Sequence, residues 1–84
     1  MTQSLRAGFG ERVMLVRRRH KLSQPELAQR AGMSVTALNR VENGHQSLYM
    51  ETVAALAQAL GVSADYLLGL SGEAAERAAA GVQP

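Results

Sequence analysis

Apolar positions recur along this chain at the spacing of helices, in five short runs separated by glycine or by a serine-led turn. Phe9, Val13 and Val16 lie one helical turn apart and predict a first helix with a single core-facing stripe. Met14 and Leu15 fall off that stripe, either as isolated surface residues or as a small patch for a partner. Ser23 and Glu26 have the spacing of a capping box, with Leu22 and Leu27 at the staple positions and Pro25 in the first turn. They predict a second helix over about Gln24 to Arg30, ended by Gly32. Met33, Ser34 and Leu38 repeat the arrangement and open a third helix, about Val35 to Asn43, ended at Gly44. Met50, Val53, Ala54, Ala57 and Leu60 form the stripe of a fourth helix, with Ser47 as its candidate cap and Gly61 as its stop. Val62, Ser63 and Leu67 repeat the staple and cap a third time, and Asp65 favours the dipole of a fifth helix ending near Gly69.

The pattern divides the chain into a flexible N-terminus over 1–8, a domain over 9–70, and a tail over 71–84. The tail is Ala-rich with two glycines, and is either a short helix over 73–80 or disordered.

Two short helices joined by a tight glycine turn, over 22–44, make a helix-turn-helix unit. The second of them sorts its residues by face. At about 100° per residue, Val35, Thr36, Asn39, Arg40 and Asn43 share one arc of roughly 140°. Ala37, Leu38 and Val41 lie opposite, as a core face. The first arc is short, polar and basic, as a reader of the DNA major groove needs to be. Val35 and the Thr36 methyl suit a thymine methyl, Asn39 suits adenine, and Arg40 suits guanine or, being furthest round the arc, a phosphate. Ser34 and Asn43 stand at the two ends of this helix. The cap explains Ser34 and leaves a phosphate contact open; Asn43 is a C-terminal turn residue, a phosphate contact, or both.

Charge sharpens the picture. The net charge is only +2, but residues 1–45 hold eight basic residues against three acidic ones, and 46–84 hold one against four. Such asymmetry points to a polyanion on the N-terminal half. Arg18, Arg19 and Lys21 are candidates for loose attraction to phosphate, and cations there also suit the end of a helix.

With 84 residues there is room for one small domain. No cysteine is present, which excludes disulfides and thiolate metal sites, and 4% aromatic residues argues against platforms for stacking single strands. No signal pattern or membrane-length apolar run appears, so a soluble, cytoplasmic, prokaryotic protein is expected. His20 and His45 are far apart, and no catalytic triad order, metal-ligand spacing or phosphate-binding glycine loop is present. The reading is therefore no enzyme, no metal, no cofactor and no small-molecule ligand.

Residues 9–70 resemble the XRE-type helix-turn-helix family, the phage Cro and lambda-repressor kind. The likeness rests on Ser-Gln-x-Glu-Leu-Ala at 23–28, Ala-Gly-x-Ser at 31–34, Val-Glu-Asn-Gly at 41–44, and Leu-Ala-x-Ala-Leu-Gly-Val-Ser-x-Asp-Tyr-Leu-Leu-Gly at 56–69, in order. It implies an all-α, compact, five-helix domain with a central helix-turn-helix. In relatives the glutamine at the place of Gln24 commonly contacts backbone phosphate, and a helix N-terminus suits that role. Relatives also commonly pair an arginine at the place of Arg17 with the glutamate of Glu-Asn-Gly, here Glu42. Helical rotation puts Arg17 toward the core edge, where a half-buried charge needs a partner. Relatives often carry glycine where Lys21 stands; a left-handed backbone there strains Lys21 by about 1 kcal/mol. They also often have Lys or Arg and then Pro-Ser before the fourth helix, where this chain has His45-Gln46-Ser47-Leu48-Tyr49.

The implied function is sequence-specific binding of double-stranded DNA and regulation of transcription, as a repressor dimer on a palindromic operator. The dimer is expected through the fifth helix, the segment from Tyr66 to Leu70 and the tail, since Leu68 and Leu70 exceed what one small core needs. The rival is an antitoxin-like or adaptor module that holds another protein with the same fold.

Overall fold

The computed structural model describes residues 2–70. Five helices follow in order: α1 (Thr2–Arg19), α2 (Gln24–Ala31), α3 (Val35–Glu42), α4 (Met50–Leu60) and α5 (Ala64–Leu68). No strand occurs among the described residues, and the fold is the all-α, five-helix class. The expected short helix or disorder over 71–84 lies outside the described residues.

Serine caps start three of the helices. Ser23, Ser34 and Ser63 each accept, on the side-chain oxygen, the backbone N–H three residues on, at 3.2, 3.0 and 3.0 Å. Gly32, Gly61 and Gly69 then end α2, α4 and α5 in the left-handed conformation. These local signals bracket helices too short to persist alone; burial holds them. Phe9, Val13 and Val16 from α1, Leu27 from α2, Leu38 and Val41 from α3, Leu56 and Leu60 from α4, and Leu67 from α5 meet in one core. α1 lies across α3 and α5, and α2 packs on α3 and α4.

Two expectations change. Helix runs from Thr2 onward, ahead of the Phe9 stripe that predicts it. Support comes from small residues rather than from a stripe. Ala7 lies against Gly44, where an added Cβ would stand 3.0 Å from the Ala7 Cα, and Gly10 is buried against the last turn of α3. Leu5, one turn before Phe9, continues the apolar spacing but stays 44% exposed at the edge of a groove. The second change concerns α4. Its N-cap is Tyr49, without a side-chain cap bond, rather than Ser47; Met50 is 79% exposed, and Leu56 takes the core position instead.

Lys21 has φ +58° and closes α1, with its N–H donating to Arg18 O at 2.9 Å and the Leu22 N–H to Arg17 O at 3.0 Å. A left-handed non-glycine residue is strained by about 1–2 kcal/mol. Lys21→Gly relieves this and gives back part of it as unfolded-chain entropy. A net gain in stability of at most about 1 kcal/mol is expected in urea unfolding. Any loss would mean that the Lys21 side chain stabilises the turn.

Candidate nucleic-acid interface

The first turn of α2 is built by its cap. Glu26 accepts the Ser23 backbone N–H at 2.8 Å while the Ser23 hydroxyl accepts the Glu26 N–H. The Ser23 backbone bond, then the Ser23 hydroxyl, and more weakly the Arg30 charge hold the Glu26 carboxyl below the ordinary glutamate range. The turn is thereby fixed, and it carries Gln24, its first residue, toward the end of α3.

There Gln24 joins a network that crosses three helices. Arg17 Nε donates to Glu42 Oε2 at 2.6 Å and Arg17 Nη2 to Glu42 Oε1 at 3.1 Å. Arg17 Nη1 donates to Leu22 O at 2.9 Å, and Gln24 Nε2 donates to Glu42 Oε1 at 2.9 Å. The Arg17 and Glu42 side chains are only 11% and 4% exposed. The planar guanidinium and the carboxylate meet along two parallel bonds, the strong geometry for such a pair. The end of α1, the start of α2 and the end of α3 are fixed relative to one another by this one group. Gln24, expected to face phosphate, has one amide N–H turned inward to Glu42. Its backbone N–H belongs to the first turn of α2, where N–H groups lack intrahelical acceptors.

On α3, Leu38 and Val41 are buried and Val35, Thr36, Asn39 and Arg40 are exposed on the outer side. Val35, 42% exposed, is the apolar member of that face. Ser34 is exposed and caps the helix through its oxygen, so its hydroxyl hydrogen remains available as a donor.

Two of these residues are tied to the chain that follows α3. Asn43 Nδ2 donates to Asn39 O at 2.8 Å and to Asn39 Oδ1 at 3.2 Å. Its donor group thus points back along the helix. Arg40 Nε donates to Gln46 Oε1 at 2.9 Å and Arg40 Nη2 to His45 O at 3.3 Å. The guanidinium leans toward the loop. Gln46 carried no signal in the sequence, because its partner is defined only once the loop folds back, with the His45 N–H donating to Arg40 O at 2.9 Å.

The surface expected to pair two copies is redistributed. Tyr66 and Leu67 lie in the protein's own core, Leu68 is half-buried, and Leu70 is 72% exposed. Leu68 instead lines an open apolar groove of about 420 Å³ with Leu5, Leu48, Tyr49, Met50 and Val53. Elsewhere among the described residues, no helix is long and apolar enough to cross a membrane, and no group of acidic, histidine or cysteine side chains is arranged to hold a metal.

The helix-turn-helix family profile matches residues 13–67. This protein belongs to the helix-turn-helix family, of the Cro and lambda-repressor kind. As a member of that family it is a DNA-binding regulator of transcription. Solved members of similar structure include the restriction-modification controller protein C.AhdI from Aeromonas hydrophila, with TM-score 0.70 and 30% identity over 73% of this chain and 92% of that one. A hypothetical transcription factor, NHTF from Neisseria, has TM-score 0.75 and 34% identity over 81% of this chain and 78% of its own. The P22 c2 repressor, in complex with a synthetic operator, has TM-score 0.68 and 35% identity over 71% of this chain and 91% of its own. No curated protein matches the chain.

Proposed function

We propose that this helix-turn-helix protein is a sequence-specific repressor that lays α3 in the major groove of a palindromic operator and binds it as a homodimer. The observation that carries this reading is the outer face of α3. It is exposed, small, polar and basic, and α3 is held rigidly by a core on its other side and a buried ion pair at its end. Val35 and Thr36 stand in the first turn, which enters a groove deepest, and meet thymine methyls. Asn39 makes a two-bond contact to adenine, with Asn43 bracing its oxygen. Ser34 and the first turn of α2, through the Gln24 backbone N–H and remaining amide N–H, hold phosphates and set register. Arg40 stands at the edge of the same face. A single short helix reads few base pairs, so a second copy supplies the other half-site. Leu70 and the groove beside Leu68 are the surface proposed for it. The protein acts where the DNA is, in the cytoplasm of a prokaryote.

Base readers and phosphate holders fail differently, which gives the test. Asn39→Ala is expected to cost about 1–3 kcal/mol on the preferred duplex and to relax preference at one base pair. Gln24→Ala is expected to weaken all duplexes by nearly the same factor. Fluorescence anisotropy on the preferred and a scrambled duplex reads both. Equal losses on both duplexes for both variants would remove α3 as the reader and bring forward the alternative, a module that holds another protein.

A further inference from the structure

We infer that Arg40 and Gln46 form a composite clamp for one phosphate of the DNA backbone, and that Gln46 is the residue that builds it. The inference rests on the DNA-binding reading above and assigns Arg40 its partner within it.

A guanidinium has two forked edges, Nε with Nη2 and Nη1 with Nη2. In Arg40 the first edge is taken: Nε donates to Gln46 Oε1 at 2.9 Å and Nη2 to His45 O at 3.3 Å. The second edge remains, and it fits two oxygens of a phosphate. The same bond sets the polarity of Gln46. An amide offers both an acceptor and a donor; with Oε1 held by Arg40, the Nε2 group with its two N–H donors is the end left over. The outward chemistry of the pair is thus donors only, beside a positive charge, which suits an anion. Guanine also presents two acceptors, N7 and O6, so the choice between it and a phosphate falls to where the group stands.

Position agrees with the chemistry. Arg40 lies in the last turn of α3 and leans toward the loop, away from the first turn that goes deepest into a groove. The loop is itself fixed to that turn by the bond from the His45 N–H to Arg40 O. Holding the long arginine side chain in place before DNA arrives lowers the ordering cost of the contact. Arg40, for which the arc leaves both guanine and a phosphate open, becomes a register-setting group.

The test uses the full chain. A random-sequence duplex pool is first selected with the wild type. Binding to the selected duplex and to a scrambled one is then measured by anisotropy over a salt series. Arg40→Ala is expected to weaken both duplexes by the same factor and to lower the salt slope by about one. Gln46→Ala is expected to weaken both about tenfold, the scale of one hydrogen bond to a charged group. Gln46→Glu separates a clamp from a mere prop. It keeps an oxygen for Arg40 Nε but removes the outward donors and adds a negative charge, so it is expected to bind worse than Gln46→Ala. A prop would bind no worse than Gln46→Ala, since Arg40 keeps its acceptor. Wild-type affinity in Gln46→Glu or Gln46→Ala, or loss of preference at a single base pair in Arg40→Ala, would overturn the clamp while leaving the DNA-binding reading intact. Failure of the wild type to retain any duplex would overturn that reading and the clamp with it.

Discussion

Arg17→Ala is expected to destabilise the protein by about 3–5 kcal/mol, most of what a domain of this size has to spare. The Glu42 side chain is only 4% exposed, and two of the three bonds to its carboxylate come from Arg17. Removing the arginine leaves a buried carboxylate with Gln24 alone, and frees the Leu22 carbonyl that Arg17 Nη1 also serves. The penalty is that of a stranded charge, so it should shrink when the charge is removed as well. The double variant Arg17→Met, Glu42→Leu, which replaces both partners with apolar groups of similar length, is expected to lose much less than Arg17→Ala alone. Urea unfolding followed by helical circular dichroism measures both. A loss below about 1 kcal/mol for Arg17→Ala would mark the pair as a surface contact. Because the network fixes the end of α3, the same variant should also weaken DNA binding before it unfolds the chain.

Two glycines of α1, two residues apart, are expected to respond to alanine with opposite sign. At Gly10 an added Cβ would overlap the Val41 carbonyl oxygen and stand 2.8 Å from that of Glu42. Those oxygens belong to the backbone of the last turn of α3 and cannot swing aside. Gly10→Ala therefore separates α1 from α3, and a net loss of about 1–3 kcal/mol is expected even after the better helix propensity of alanine is counted. At Gly8 the added Cβ would meet only the far end of Arg12, with Nη1 at 2.9 Å, and a flexible guanidinium can move. Gly8→Ala should therefore gain up to about 1 kcal/mol from propensity alone. Thermal and urea unfolding of the two variants side by side decides the matter. Equal stabilisation of both would mean that α1 and α3 do not approach as closely at Gly10 as described.

The contrast between those glycines shows where the sequence stops speaking. Interactions that close within about four residues are written in residue types. The Ser23, Ser34 and Ser63 caps, the stops at Gly32, Gly61 and Gly69, and the inward side of α3 at Leu38 and Val41 all follow from spacing. The left-handed turn at Lys21 was legible only through likeness to a family that favours glycine there. The early start of α1 was barely legible, because Leu5 alone continues the stripe and stays 44% exposed, while Ala7 meets Gly44 by close backbone approach. Tyr49 as the start of α4, and Met50 on the outside, depended on how the preceding loop enters the helix. On the candidate interface the division is the same. The residue types on the outer face of α3 were set by helical rotation alone. What each of their polar atoms does was set by packing: Gln24 turns to Glu42 across 18 residues of sequence, and Arg40 turns to Gln46 in a loop without regular structure. A side-chain amide or guanidinium has several equivalent ways to satisfy itself, and only the tertiary neighbours choose among them.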